Sequence, residues 1–113
     1  MQALNWYEEM GFAITVSDQN GIILYMNQKA CANNEAEGGN NLVGKNLFDC
    51  HPARSLDKVR ELYEKQLTNV YTIEKKGIKK LIYQAPWYEN GEFAGVVELS
   101  IPIPFEMPHY IRK

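Results

Sequence analysis

Two stretches near the amino end of the chain have the hydrophobic pattern of β-strands joined by a tight turn. Apolar and polar residues alternate over residues 12–16, and residues 22–26 form a second, mostly apolar run. Between them stands Asp18-Gln19-Asn20-Gly21, whose Asn and Gly accept the positive φ that hairpin turns require. The pattern therefore predicts a hairpin of two strands, the second of them well buried.

The middle of the chain has the pattern of short helices followed by one long helix. Asn27 is predicted to cap a helix over residues 28–33, because its side chain can accept a free backbone N–H. Leu47 and Phe48 are predicted to close a single helical turn, and Ser55 is the predicted cap of the long helix. The predicted apolar face of the long helix consists of Leu56, Val59, either Leu62 or Tyr63, and Leu67.

The last third of the chain predicts three more strands and a tail. Residues 70–74, 80–87 and 93–103 are rich in β-forming side chains, and Asn90-Gly91 is a strong signal for a hairpin. The prolines that follow cannot donate to a sheet, so residues 104–113 are expected to form an extended tail.

The composition is that of one globular domain without the charge of a nucleic-acid-binding protein. Of the 113 residues, 45% are hydrophobic and 23% are charged, which suits a single compact core. The net charge is −2, and the basic residues are scattered along the chain. The densest basic cluster is interpreted as a solvated hairpin tip, with a phosphate or membrane contact as the alternative. That cluster consists of Lys75, Lys76, Lys79 and Lys80.

The location predicted for the protein is the cytoplasm. No apolar run approaches the roughly 20 residues that a membrane-spanning helix needs, and residues 1–6 lack the pattern of a secretory signal. Cys31 and Cys50 are too few for a disulfide scaffold, and their spacing does not indicate a structural zinc site. Free thiols without an export signal are typical of a reducing compartment.

The order of the predicted elements, together with four short motifs, resembles the PAS domain family over residues 9–103. The motifs in chain order are Phe12-Ala13-Ile14 with the turn at 18–21, ILYMNQKA at 23–30, LVGKN at 42–46, and NGEFAGVVE at 90–98. The resemblance implies an α+β fold with a five-stranded antiparallel sheet of order 2-1-5-4-3 and helices on one face. It divides the chain into a flanking helix (1–10), a PAS domain (11–103) and an extended tail (104–113).

The same resemblance implies a sensory or signalling domain, not an enzyme. Such a domain binds a small apolar ligand between its sheet and its helices, or mediates contacts with a signalling partner protein. The residues expected to contact a ligand are Phe48, Cys50, His51, Tyr63 and Tyr83. A homodimer is expected through the apolar face of residues 4–10. The alternative is that this face packs on the sheet of its own chain.

The sequence leaves the cofactor open, with haem as one alternative. Flavin photosensors of the family carry a reactive cysteine directly after a Gly-x-Asn motif. Here Leu47 follows Gly44-Lys45-Asn46, so a flavin photoadduct is not expected. A haem- or metal-dependent redox or gas sensor would use His51 as axial ligand. The segment 50–55 is similar to PAS modules found beside hemerythrin-like domains, yet Cys-His-Pro before a helix is also typical of a capping turn.

A third alternative is a small cone-shaped α+β enzyme of the isomerase type. Such an enzyme could place a carboxylate or a tyrosine with a shifted pKa in an apolar cavity. The sequence contains no Ser/His/Asp set in a recognised context, no Gly-rich phosphate loop and no HExxH motif. The sensory interpretation is therefore preferred.

Overall fold

The computed structural model describes residues 4–113, with the side chain of Cys50 outside the described part. The predicted strands and the two main helices are all present, and short 3₁₀ helices lie between the helices at Glu35–Glu37, Gly39–Leu42 and Leu47–Cys50. The strands and α-helices are β1 (Ala13–Ser17), β2 (Ile23–Met26), α1 (Gln28–Asn33), α2 (Ala53–Lys65), β3 (Asn69–Lys75), β4 (Ile78–Glu89) and β5 (Glu92–Ile103).

The strands form one antiparallel sheet in the order β2-β1-β5-β4-β3, which confirms the predicted topology. The longest pairing joins β4 to β5 through the predicted Asn90-Gly91 hairpin. Both turn residues have positive φ, +55° and +82°, as this class of tight turn requires. Because β5 pairs with both β1 and β4, the carboxyl-terminal strand lies in the centre of the sheet.

The strand register assigns residues to the two faces of the sheet. Thr15, Glu98, Gln84 and Asn69 are successive partners across β1, β5, β4 and β3, so they form one row on one face. We call this the inner face, because α2 lies over it. The adjacent row on the opposite, outer face consists of Ile14, Leu99, Tyr83 and Val70.

The hydrophobic core consists of two clusters, one at each end of the inner face. The first joins the β1–β2 hairpin to α1 and consists of Ala13, Ile23, Met26 and Ala30. The second joins α2 to β5 and consists of Val59, Leu62, Tyr63 and Val96. Leu47 packs against both clusters, so the 3₁₀ helix at Leu47–Cys50 bridges them. The residues of the second cluster also border a space between α2 and the sheet.

Asn27 connects β2 to α1 without a loop, as predicted. The side chain is fully buried, and its Oδ1 accepts hydrogen bonds from the backbone N–H groups of Ala30 and Ile14, each at 3.0 Å. Its Nδ2 donates to the carbonyl oxygens of Tyr7 at 2.8 Å and Phe12 at 3.0 Å. One side chain therefore caps α1 and also holds the amino-terminal segment against β1.

The amino-terminal segment differs from the helix predicted over residues 1–10. Within the described residues 4–10, the chain forms a turn at residues 6–9, and residues 1–3 lie outside the described part. The reason is tertiary: the carbonyl of Tyr7 is held by Asn27, and the carbonyl of Glu8 accepts from the N–H of Gln28 at 3.1 Å. Backbone groups that bond to other elements in this way do not form the ladder of a helix.

The start of α2 also differs from the prediction. The helix begins at Ala53 with Pro52 at the N-cap position, and the hydroxyl of Ser55 donates to the carbonyl of Pro52 at 3.1 Å. Ser55 therefore lies inside the first turn and is not the cap. Its sequence signal was misleading because serine favours the first turn as well as the cap, and proline, with its fixed φ, ends the preceding extended segment.

Beyond β5 the chain contains no further helix or strand over residues 104–113. Among the described residues, no helix has both the length and the apolar character needed to cross a bilayer.

Candidate functional site

A small cavity lies between the inner face of the sheet and α2. Its volume is about 60 Å³, and we call it the inner cavity. Sheet residues form its floor and residues of the helical layer form its opposite wall. The floor consists of Thr15, Ser17, Gln84, Val96 and Glu98, and the wall of Leu47, His51, Val59, Leu62 and Tyr63. The cavity is small, so a guest much larger than a few water molecules must also extend into neighbouring space.

A chain of hydrogen bonds crosses the floor and ends on a carboxylate. Nδ2 of Asn69 donates to Oε1 of Gln84 at 2.9 Å, and Nε2 of Gln84 donates to Oε1 of Glu98 at 2.7 Å. The amide orientation follows from this order, because the carboxylate can only accept. Three of the four residues in the row of Thr15, Glu98, Gln84 and Asn69 are therefore connected by hydrogen bonds, and we call this row the polar floor. Its charged residue, Glu98, borders the cavity.

Tyr63 anchors α2 to the sheet at one end of the cavity. Its hydroxyl and the hydroxyl of Ser17 are 2.5 Å apart, and both side chains are buried. Burial raises the pKa of the Tyr63 phenol, while the hydrogen bond with Ser17 acts in the opposite direction. The indole N–H of Trp87 donates to the Ser17 carbonyl at 2.9 Å. Ser17 thus joins β1 to the helical layer and to the β4–β5 hairpin.

A hydrogen bond orients the ring of His51 in the wall of the cavity. Its Nδ1 lies 2.8 Å from the carbonyl oxygen of Leu47. A carbonyl only accepts, so Nδ1 carries the hydrogen, and in the neutral ring Nε2 is an acceptor. Histidines that bind metals commonly have their second nitrogen held in this way. The ring is thus oriented, and Nε2 is the nitrogen available to a guest.

A larger, more open space adjoins the inner cavity. This outer cleft has a volume of about 490 Å³. Its lining consists of Thr15, Ile23, Met26, Asn34, Glu37, Leu42, Lys45, Leu47, His51 and Glu98. It shares Thr15, Leu47, His51 and Glu98 with the inner cavity. A guest that extends from one space into the other therefore passes between His51 on the wall and Glu98 on the floor.

The five residues expected to contact a ligand are not all brought together. His51 and Tyr63 line the inner cavity. Phe48 packs edge-to-face on Tyr63, with ring centroids 5.0 Å apart, and lines a shallow surface depression instead. Tyr83 lies on the outer face and is 39% exposed. The side chain of Cys50 lies outside the described part of the chain.

The polar floor was missed by the sequence interpretation. Thr15, Gln84 and Glu98 lie in predicted strands, in which alternate residues point to opposite faces of the sheet. The strand pattern does not show which of the two faces the helices cover. The Asn90-Gly91 hairpin alone could not have found them, because its register would pair Gln84 with Val97. The observed pairing of Gln84 with Glu98 follows from a one-residue shift of register between Trp87 and Tyr88. Two polar residues facing each other within otherwise apolar strands indicate a polar function on that face.

The described residues contain no group of three or more His, Cys, Asp or Glu side chains arranged to hold a metal ion. A haem iron needs only an axial ligand from the protein, so this finding leaves His51 as a haem ligand to be judged on other grounds.

Solved structures of similar shape identify the fold. A C-terminal domain from Streptococcus mutans is 23% identical, with a TM-score of 0.70 over 84% of this chain and 78% of that one. The Aer2 receptor from Vibrio cholerae, described as a dual PAS-heme oxygen sensor, is 20% identical, with a TM-score of 0.66 over 87% and 99%. The PAS domain of an HTR-like protein from Haloarcula marismortui is 17% identical, with a TM-score of 0.55 over 86% and 85%.

This chain has the PAS fold. The sheet order and the placement of the helices agree with these structures, which confirms the fold inferred from the sequence resemblance. No protein-family model and no curated protein matches the chain.

Proposed function

We propose that this chain is a sensory PAS domain that holds a small guest between its sheet and α2. The observation that carries the proposal is the inner cavity, which joins the outer cleft and is bordered by oriented polar groups. In this proposal the guest enters through the adjoining cleft, which shares four lining residues with the cavity. The domain in this proposal binds and reports, and does not catalyse a reaction. Structures of the same fold that are named as receptors and sensors support this choice.

The central strand provides a route from guest to partner. Val96 and Glu98 line the inner cavity, while Val97 and Leu99, the residues next to them, point to the outer face. Because successive side chains of a strand point to opposite faces, a guest that displaces β5 also displaces this outer surface. We propose that a signalling partner reads the outer face.

The proposal is tested by native mass spectrometry of the freshly purified protein. We expect a mass that exceeds the mass of the polypeptide by one small guest per chain, and the guest should be released by collisional activation. The same spectra are recorded after incubation with a set of small aromatic and heterocyclic fragments. A bare chain in both samples would overturn the proposal.

We also propose that the domain forms a homodimer through its amino-terminal turn. Tyr7 packs edge-to-face on Tyr25 of its own sheet, with centroids 5.3 Å apart, so this part of the segment is already covered. Leu4 and Trp6 are 85% and 65% exposed. Apolar side chains this exposed next to each other favour an interface.

The native mass should be that of two chains, and Trp6→Glu should reduce it to one. A wild-type monomer at the same concentration would contradict this proposal.

Haem is the second candidate guest, and one observation favours it. The Nδ1–H of His51 is held by Leu47, which leaves Nε2 for an axial bond to iron. When bound, haem would supply reversible binding of a gas or a change of oxidation state. Apolar side chains of the wall, among them Leu47 and Leu62, suit a porphyrin face. The inner cavity alone is far below the roughly 300–1,000 Å³ of typical ligand pockets, so haem would also occupy the outer cleft.

Absorption spectroscopy tests whether the domain binds haem. Protein mixed with haem should develop a sharp Soret band that His51→Ala abolishes, whereas His109→Ala, which changes an exposed tail residue, should leave it unchanged. A spectrum of free haem in all three samples would remove haem from consideration.

A further inference from the structure

We propose that the guest of this domain is a small organic cation with N–H donors, and that Glu98 accepts it. The proposal rests on the function proposed above and specifies the chemical class of the ligand. Its basis is the distribution of acceptors at the junction between the inner cavity and the outer cleft, which both Glu98 and His51 border.

The carboxylate of Glu98 carries a charge that the described residues do not neutralise. No Lys, Arg or His nitrogen in the described part of the chain lies within 4.0 Å of it, and the ion pairs found there belong to Glu61. Its one hydrogen-bond donor among the residues that the structure describes is the neutral amide of Gln84. A half-buried charge held by a neutral donor gains most from a cation, because the pair then restores the interactions lost with water.

The hydrogen bond from Gln84 orients the Glu98 carboxylate before any guest binds. Oε1 of Gln84 is occupied by the N–H of Asn69, so the Gln84 amide turns its own N–H to Glu98. Gln84 in this orientation cannot offer its oxygen at the junction. The side chain of Glu98 is oriented by this bond, and orientation in advance lowers the entropic cost of binding.

The opposite wall also presents an acceptor. Nε2 of His51 is the unprotonated nitrogen of the neutral ring, because Nδ1 carries the hydrogen that Leu47 accepts. Glu98 on the floor and the neutral ring of His51 on the wall both offer a hydrogen-bond acceptor at the junction. A guest with several N–H groups and one positive charge matches both, as an amidinium or a protonated amine does. An anionic guest would face the Glu98 carboxylate directly.

Other charged side chains border the outer cleft, but they do not reverse the preference for a cationic guest. Lys45 and Glu37 both line the cleft, and they contribute one charge of each sign. Lys80 and Lys75 share a separate surface depression with Glu98. No ion pair within 4.0 Å joins any of these lysines to Glu98 in the described part of the chain.

The test compares two probes of similar size in three proteins. Benzamidine carries a planar amidinium that can donate two hydrogen bonds to one carboxylate, and toluene is its neutral apolar counterpart. Binding is followed by NMR through the methyl groups of Val96, which line the inner cavity, with the methyl groups of Ile111 in the exposed tail as internal reference. The proteins are wild type, Glu98→Gln and Glu74→Gln. The last removes the same charge from an exposed position on β3.

We expect benzamidine to bind wild type and Glu74→Gln with equal affinity, and to bind Glu98→Gln about tenfold or more weakly, as for the loss of a charged hydrogen bond. Toluene should bind all three proteins equally. Equal benzamidine affinity for wild type and Glu98→Gln, with toluene still bound, would overturn the proposed ligand class but leave the sensory function intact. If neither probe shifts the Val96 methyls, the proposed cavity function fails together with this inference.

Discussion

Asn27 holds three segments of the chain together through the hydrogen bonds of its side chain. Its buried amide accepts from Ile14 and Ala30 and donates to Tyr7 and Phe12. Replacing it with alanine leaves four backbone groups of three segments without these bonds. Each buried polar group left unpaired costs about 1–3 kcal/mol.

The Asn27→Ala variant should therefore lose about 3 kcal/mol or more of the free energy of unfolding. Urea denaturation measures this loss. Asn33→Ala is the matched control, because Asn33 lies exposed on the same helix and its loss should change stability by less than about 0.5 kcal/mol. Equal midpoints for the two variants would show that Asn27 does not have this role.

Tyr25 makes the stability of the protein sensitive to alkaline pH. Burial raises the pKa of its phenol, and the hydrogen bond from its hydroxyl to the carboxylate of Glu8 raises it further. The folded state thus favours the neutral phenol, whose usual pKa is about 10. Its contribution to stability is complete below that pH and is lost as the pH rises through the higher folded-state value.

When the pH is raised from neutral into the alkaline range, the free energy of unfolding should fall less for the Tyr25→Phe variant than for wild type. Unfolding free energies measured at a series of pH values check this. Tyr110→Phe, which changes an exposed tail residue, should follow the wild-type curve. Parallel curves for wild type and Tyr25→Phe would contradict the assignment.

Predictability from the sequence differed from residue to residue. The role of Asn27 in capping was predictable, because a cap depends on the residue type and on three neighbouring positions. Its bonds to Tyr7 and Phe12 were not, because they depend on how a distant segment returns. The polar floor of Gln84 and Glu98 depends on which face of the sheet is covered, and a strand pattern alone does not decide this.

At the scale of elements, β1 and β5 approach each other closely at one glycine. A Cβ built on Gly95 would lie 1.9 Å from the carbonyl oxygen of Ser17, and the backbone φ there is +153°. That carbonyl also accepts the indole N–H of Trp87. A side chain at position 95 would therefore separate β5 from the end of β1, because the obstacle is backbone and cannot rotate away.

Gly95→Ala should destabilise the protein by at least about 3 kcal/mol, or prevent folding altogether. The measurement is thermal unfolding, or the loss of dispersed amide signals where no folded state remains. Gly11→Ala is the control, since an added Cβ meets nothing within 4 Å there. A Gly95→Ala variant as stable as the control would show that the strands do not meet in this way.

The elements themselves were largely predictable because their signals are local. Asn90-Gly91 sets its hairpin through the φ values of two residues, and α2 is defined by an apolar face at helical spacing. The exception was the amino-terminal segment, predicted as a helix and found as a turn over residues 6–9. There the backbone bonds to Asn27 and Gln28 outweigh the weak helical preference of a short segment.

At the scale of the whole molecule, sheet and helical layer meet at the two ends of the inner face and leave space between them. The two core clusters hold these ends together, and the inner cavity lies between β5 and α2. The topology could be predicted from the resemblance and the turns. The cavity and its lining could not, because its volume depends on side chains from five separate elements.

The proposed function depends most on this space being present and accessible to a guest. A crystal structure determined under xenon pressure tests that point directly, since small cavities with apolar walls bind this gas. We predict a xenon atom within about 4 Å of the side chains of Val59, Leu62 and Val96, in van der Waals contact with both layers. A structure without xenon beside these three side chains would contradict the proposed function.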